Sequence, residues 1–325
     1  MKKYLGLIAA GAFTAMSAVP MAVASTADYP AKPIKIVVPF APGGSTDVLI
    51  RLIGPRLAER LGQPVVVENK AGAAATIGAD YVSRANPDGY TLLAASAHHT
   101  IGQAVFPKLN YRVDQSFAPI GTIAMVPNLV VVNGKVPAKS VDELVALTKA
   151  DPDKYNYASA GSGSAHHLIG ELFKQRTGAE LTHIPYSGSG PAVTGLLSEQ
   201  VQVMFDTVPS ALPHIKSGST RVLATTTAKR SSALPDTPTL NELGLDGFDV
   251  GTWMGLAAPS GTPEEIVQRL NRELVAIINT PEVSDQLLRG GMEPMPSTPD
   301  ELTERISKEV GAFQALVEKA QLKIE

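Results

Sequence analysis

The sequence predicts an α/β protein built as two lobes, each a mostly parallel sheet flanked by helices. Three observations lead there. From Lys32 onward short β-branched runs alternate with longer stretches of helical period, the pattern of strands joined through crossover helices. The chain has 325 residues, enough for two cores of about 100–150 residues each. Three strand-to-helix junctions also share one composition, glycine and hydroxyl residues with almost no charge: APGGSTD (41–47), SAGSGSAHH (159–167) and YSGSGPA (186–192).

The elements follow in order. MKKYLGLIAAGAFTAMSAVPMAVAS puts Lys2 and Lys3 ahead of an apolar stretch and closes on Ala22-Val23-Ala24, the pattern of an export signal cleaved after Ala24, with Ala27 as the second candidate. Pro20 and scattered hydroxyl residues interrupt the stretch, which is short for a membrane span of about 20 apolar residues. No cysteine follows for lipid attachment. Strands are predicted at 34–40, 65–69, 90–96, 129–133, 155–160, 181–186, 201–206, 221–227 and 253–259. In TDVLIRLIGPRLAERLG, Leu49, Ile50, Ile53, Leu57 and Leu61 recur at three and four residues, one apolar helix face, and Pro55 should bend that helix. The tail carries three helix starts, at Thr262-Pro263, Thr280-Pro281 and Ser297/Thr298-Pro299, each a hydroxyl ahead of proline and early acids. These helices are expected to clasp one lobe from outside. No fixed-period repeat or low-complexity tract appears beyond the leader.

The chain has no cysteine; a protein of this size can hold together without disulfides, so the zero is compatible with an oxidising compartment. Loss of Lys2 and Lys3 with the leader takes the formal charge from −3 to about −5, a balance that argues against nucleic acid or an anionic membrane surface as partner.

The three junctions are where chemistry is expected. At a helix start several amide hydrogens have no partner within the helix, and the helix dipole places partial positive charge there. Glycine lets a ligand approach those amides. Candidate binding residues are therefore Pro42, Gly43, Gly44, Ser45, Thr46 and Asp47 in the first loop; Ala160, Gly161, Ser162, Gly163, Ser164 and His166 in the second; and Tyr186, Ser187 and Gly188 in the third. Each hydrogen bond to a charged group nets about 1.5–3 kcal/mol, so a few from two loops reach the roughly 8 kcal/mol of micromolar affinity. Such junctions also occur as ordinary turns. Three at the carboxyl ends of parallel strands, where clefts form, favour a site.

Other glycine-rich chemistries fit poorly. Gly44 is followed by Ser45 where a P-loop needs lysine, and neither AGSGSAHH nor SGSGPAV completes a dinucleotide fingerprint. The histidines are His98, His99, His166, His167, His183 and His214. Adjacent side chains diverge and no H-x-x-x-H spacing exists, which disfavours metal; no G-x-S-x-G elbow exists for a serine nucleophile. Structural or solvated roles suit most of them. His98, with Ser96 beside it, and His166 are the exceptions, expected in loops reaching a cleft. Asp206 ends a strand and either caps the next helix or faces the cleft. Trp253 is expected at the lobe junction, packed.

YPAKPIKIVVPFAPGGSTD, LGQPVVVENKAGAAATIGADYVSRANPDGYTLL, HIPYSGSGPAVTGLLSEQVQVMFDTVPSALPHIKSG and KRSSALPDTPTLNELG together resemble the periplasmic receptors of tripartite tricarboxylate transporters, the Bug family, from Tyr29 to the C-terminal helices. The resemblance implies a periplasmic binding protein fold of type II character, closing on a small organic anion between lobe 28–126 plus 250–325 and lobe 127–249. It implies that positions Ala41 to Asp47 and Ser159 to His166 grip one carboxylate through amides, hydroxyls and bridging waters. The wall facing the ligand's other end would include Ser96 to His99, Ser187 to Ser189 and Asp206, with His98 recognising a second polar or carboxylate group. No cofactor is implied. The implied partners are a mono-, di- or tricarboxylate or amino acid, and one large and one small integral membrane transporter subunit. A monomer in the periplasm is expected. Rival readings are a periplasmic Ser/His hydrolase, a metal receptor, and a ligand sensor feeding a signalling kinase.

Overall fold

The run IKIVV forms β1 (Ile34–Val38) because both its faces are covered. Ile34, Ile36 and Val38 pack in one cluster and Val37 in another, so the strand reads as nearly continuous apolar sequence. The computed structural model describes residues 29–319 apart from 107 and 247; the proposed leader, residues 1–24, lies outside them. α1 (Ser45–Leu61) follows and buries Leu49, Ile50, Ile53 and Leu57 against β1. It runs through Pro55 as one helix and ends at Gly62, whose left-handed φ of 70° lets its N–H return to the Ala58 carbonyl.

β2 (Val65–Asn69), α2 (Thr76–Ser83), β3 (Thr91–Ser96) and α3 (Ala97–Val105) complete the first run of crossovers, with β1 parallel to both β2 and β3. β4 (Phe117–Asn133) then spans 17 residues. Only its end, 129–133, is predicted from sequence. Pro119, Gly121 and Pro127 break the pattern of the earlier part, and the strand accommodates two of them at register shifts between 119 and 121 and between 122 and 124.

The second run is α4 (Val141–Ala150), β5 (Asn156–Ser159), α5 (Ala165–Thr177), β6 (Thr182–Pro185), α6 (Ser189–Leu197), β7 (Val203–Thr207), α7 (Val208–Lys216) and β8 (Thr220–Thr225). β5 is parallel to β6 and β7. Along β4 the alternation is that of a strand buried on both sides: Val130 and Val132 join the cluster of Tyr157 and Phe205, while Leu129 and Val131 join that of Ala192 and Met204.

β9 (Gly251–Pro259) returns beside β3 and β4, giving the order β2-β1-β3-β9-β4-β7-β5-β6, with β8 also on β4. The strands feeding the glycine loops pair in parallel, whereas β4 and β9, shared at the centre, pair antiparallel. Trp253 on β9 is 1% exposed and donates its Nε1–H to Glu309.

The tail forms α8 (Glu264–Ile278), α9 (Pro281–Arg289), the short β10 (Glu293–Pro294) and α10 (Pro299–Lys319). Thr280 and Thr298 cap α9 and α10 as expected, accepting from Val283 N and Glu301 N. Thr262 does not cap α8; its hydroxyl donates to the Pro259 carbonyl, and Pro263 holds the cap position. α10 lies along α3 and β4, as expected of a helix clasping the first lobe from outside. Leu302, Ile306 and Val310 pack with Trp253, and Phe313 and Val317 rest on the cluster that joins Ile101 of α3 to Tyr157, Leu168 and Phe205.

Candidate ligand-binding site

Gly43, at φ 86°, turns the chain after β1 so that α1 opens at Ser45. The Asp47 carboxylate fixes this turn: it accepts from Gly43 N at 3.1 Å, Arg51 Nε at 3.0 Å and Asn69 Nδ2 at 2.9 Å. Asn69 also donates to the Phe40 carbonyl. Burial alone would raise the Asp47 carboxyl, but the bonds from Arg51, Asn69 and Gly43 outweigh it and hold it below the usual carboxylate range. Asp47 is therefore committed to the loop itself, and Arg51 to Asp47. The first-turn amides of Ser45, Thr46 and Asp47 have no intrahelical acceptor.

His98 and His166 lie in the first turns of α3 and α5, not in loops as the sequence suggested, and the fold brings them face to edge. Their ring centroids are 5.2 Å apart at 89°, and Phe40 packs edge-on to His98 at 4.9 Å. Ser96 caps α3 in a reciprocal pair, its N–H donating to His99 Nδ1 at 3.1 Å, so His99 is structural. His98 Nδ1 lies 3.3 Å from Ser96 Oγ; His98 Nε2 and both nitrogens of His166 have no partner. Burial, with His166 and His99 adding, pushes His98 well below its ordinary value, and burial pushes His166 down to about 4. Both rings are thus neutral at pH 7, each with one N–H donor and one acceptor.

Phe40, Gly44, Ser45, Thr46, His98, Ala160, His166 and Ser189 enclose a space of about 10 Å³, room for roughly one water. The third loop closes this space against the first. Ala41 N donates to the Ser187 carbonyl at 3.4 Å, and a side chain on Gly44 would sit 3.7 Å from Ser189 Cβ. Pro42 and Gly188 belong to the same contact: a Cβ on Gly190 would lie 2.5 Å from the Pro42 carbonyl oxygen, and one on Gly188 3.2 Å from Ala41 N. No lysine or arginine lines the space. Two larger surface hollows, about 430 and 650 Å³, are lined by charges already paired, Lys308 with Glu304 and Arg56 with Glu282.

In the second loop three of the four amides of 161–164 are occupied. Gly161 N donates to Ser159 Oγ, Gly163 N to His167 Nδ1, and Ser164 N to the Gly161 carbonyl. Ser162 N is left over, along with the first-turn amides of α5. Ser164 Oγ caps that helix, accepting from His167 N.

Two candidates sit apart from the space. Tyr186 turns its hydroxyl toward Gln200, although its carbonyl faces Gly161. Asp206 does not cap α7, where Thr207 takes the cap position. Its carboxyl is fully buried beside an apolar pocket of Val131, Val193 and Met204. Burial pushes it up to about 6; Ser210, Ser189 and the Thr207 amide lie near enough to oppose this, yet neither oxygen has a partner in hydrogen-bonding geometry. Ser189 links it to the cleft.

Sequence reasoning missed Phe40 and Ala73–Ala75. The three alanines have φ of 44°, 49° and 79°, strained for side chains with a Cβ, and a Cβ on Gly161 would sit 3.4 Å from Ala74 N. A run of AGAAAT after a strand was their available signal. Ser159 Oγ lies 2.7 Å from His183 Nε2, the spacing of a serine–histidine pair, but this serine is fully buried and holds Gly161. Among the described residues no group of three or more His, Cys, Asp or Glu is placed to hold a metal.

Two lobes meeting through uncharged helix starts, with unpartnered polar groups between them, define a two-lobed solute-binding protein. The chain matches the model of the tripartite tricarboxylate transporter family receptor over residues 49–322 and belongs to that family. It is similar to protein BugT of Bordetella pertussis, 38% identical, with 100% of this chain and 99% of that one aligned. Among solved structures it is similar to an R. palustris protein with adipate, 35% identical with a TM-score of 0.87 over 90% of this chain and 99% of the other. It is likewise similar to MatC from Rhodopseudomonas palustris with bound malate, 35% identical with a TM-score of 0.85 over 89% and 100%.

Proposed function

We propose that this receptor works in the periplasm, its leader removed near Ala24, binding a small organic carboxylate and handing it to one large and one small membrane subunit. The observation that supports this most is the cleft itself: helix starts from both lobes, no cation, and a pair of neutral histidines in which His98 Nε2 and both His166 nitrogens lack partners. Adipate and malate in two similar structures point to a dicarboxylate. One carboxylate would take the amides of residues 44–47, of Ser162 and of the first turn of α5. His98, His166 and Ser189 would receive the other end. The lobes would divide at 126/127, within β4, and at 249/250, just ahead of β9, and would separate to admit ligand. No catalytic step is assigned, since the Ser159 hydroxyl is fully buried and holds the Gly161 amide.

A thermal-shift screen of small acids, including malate and adipate, tests this. An acid at 100 times its Kd stabilises by about 2.7 kcal/mol; no shift with any acid would overturn the reading. His98→Ala is expected to weaken a dicarboxylate about 10-fold more than a monocarboxylate of matched length, the worth of roughly one hydrogen bond to a charged group. Equal losses in calorimetric titrations would remove His98 from that role.

A further inference from the structure

The second lobe contains a stacked imidazole pair outside the cleft lining, His167 buried and His183 half-buried. His167 on α5 and His183 on β6 stack at 3.7 Å between centroids and 13° between planes, and Tyr157 on β5 stacks on His183 at 4.8 Å. Each imidazole is tied to one glycine of the binding loop. His167 Nδ1 accepts from Gly163 N at 3.0 Å. His183 Nε2 sits 2.7 Å from Ser159 Oγ, which accepts from Gly161 N at 3.1 Å. Both glycines are in the left-handed region, φ 125° and 80°, so the loop needs anchors to keep one of the many conformations open to glycine.

We propose that His167 and His183, which do not line the cleft space, are positioning residues: by holding the Gly161 and Gly163 amides they leave the Ser162 amide and the first turn of α5 as the donors offered to the carboxylate. This rests on the carboxylate-binding reading above. The acceptor role requires a bare Nδ1 on His167, hence a neutral ring. The surroundings keep it so: burial pushes His167 down to about 4, with nearby Glu171 opposing and Lys174 assisting, and burial, His167 and Lys174 push His183 down to about 3.

Two substitutions separate positioning from mere packing. His167→Phe keeps a ring for the stack and removes the acceptor; His167→Asn removes the ring and retains an acceptor oxygen near the Nδ1 position. His167→Phe is expected to speed hydrogen exchange of the Gly163 amide, followed by NMR, and to lower malate affinity about 10-fold, roughly the loss of one ordering hydrogen bond. His167→Asn is expected to retain affinity better than His167→Phe even if its Tm is lower. Equal losses for the two variants, affinity that follows Tm alone, or unchanged Gly163 exchange in His167→Phe would overturn the proposal. If the wild-type chain binds neither malate nor any screened acid, the carboxylate reading falls, and the ligand-free exchange measurement still decides whether His167 holds the loop.

Discussion

Gly190→Ala is expected to weaken ligand binding by about 10- to 100-fold, the effect of 1–3 kcal/mol of overpacking, while leaving the ligand-free protein as stable as before or slightly more so. Gly190 lies in the first turn of α6, outside the left-handed region, where alanine suits a helix better than glycine does. Its added methyl would meet the Pro42 carbonyl oxygen at 2.5 Å, closer than such atoms pack. Both sides of that contact are backbone, so neither swings away. The clash belongs only to the arrangement in which the first and third loops touch, and separation of the lobes relieves it. Titration of an acid identified in the screen, beside Tm without ligand, tests this; an unchanged Kd would show that these loops do not close on one another around ligand.

Acid is expected to destabilise this fold steeply between about pH 6.5 and 4. His99, His166 and His167 are pushed down to about 4, His183 to about 3, and His98 lower than its ordinary 6.5 as well, each mainly by burial. In that window the unfolded chain binds protons that the folded one refuses. The stability these groups contribute is therefore complete above 6.5 and lost as pH falls through their folded values. Each imidazole gives a slope of up to about 1.4 kcal/mol per pH unit. Asp206 works the other way: pushed up from 3.8 to about 6, it favours the folded state as pH falls through that range, offsetting one histidine. Against a typical 5–15 kcal/mol of total stability, the net loss should be plain in urea titrations from pH 7.5 to 4.5. Stability that is flat or rising below pH 6 would contradict these burials.

β1 and β7 were legible because runs such as IKIVV and VMF are buried on both faces and read without interruption. The early half of β4 was not, since Pro119, Gly121 and Pro127 forbid a regular ladder and only its bulges and position between β9 and β10 admit them. The three glycine loops announced themselves by composition. What each atom of a loop does was hidden: Asp47, Gly161 and Gly163 are occupied by Arg51, Ser159 and His167, partners set by packing. The meeting of His98 and His166, 68 residues apart in the chain, follows from contact between lobes, which no local pattern encodes. The left-handed turn at Ala73–Ala75 defies the preference of its residue type and is readable only from the fold.

A recess without lysine or arginine has a consequence for how its guest responds to the medium. Ionic strength acts on separated charges over a screening distance of about 8 Å at physiological salt, whereas amide dipoles and neutral rings act at contact. Capture should therefore tolerate brine nearly as well as dilute buffer.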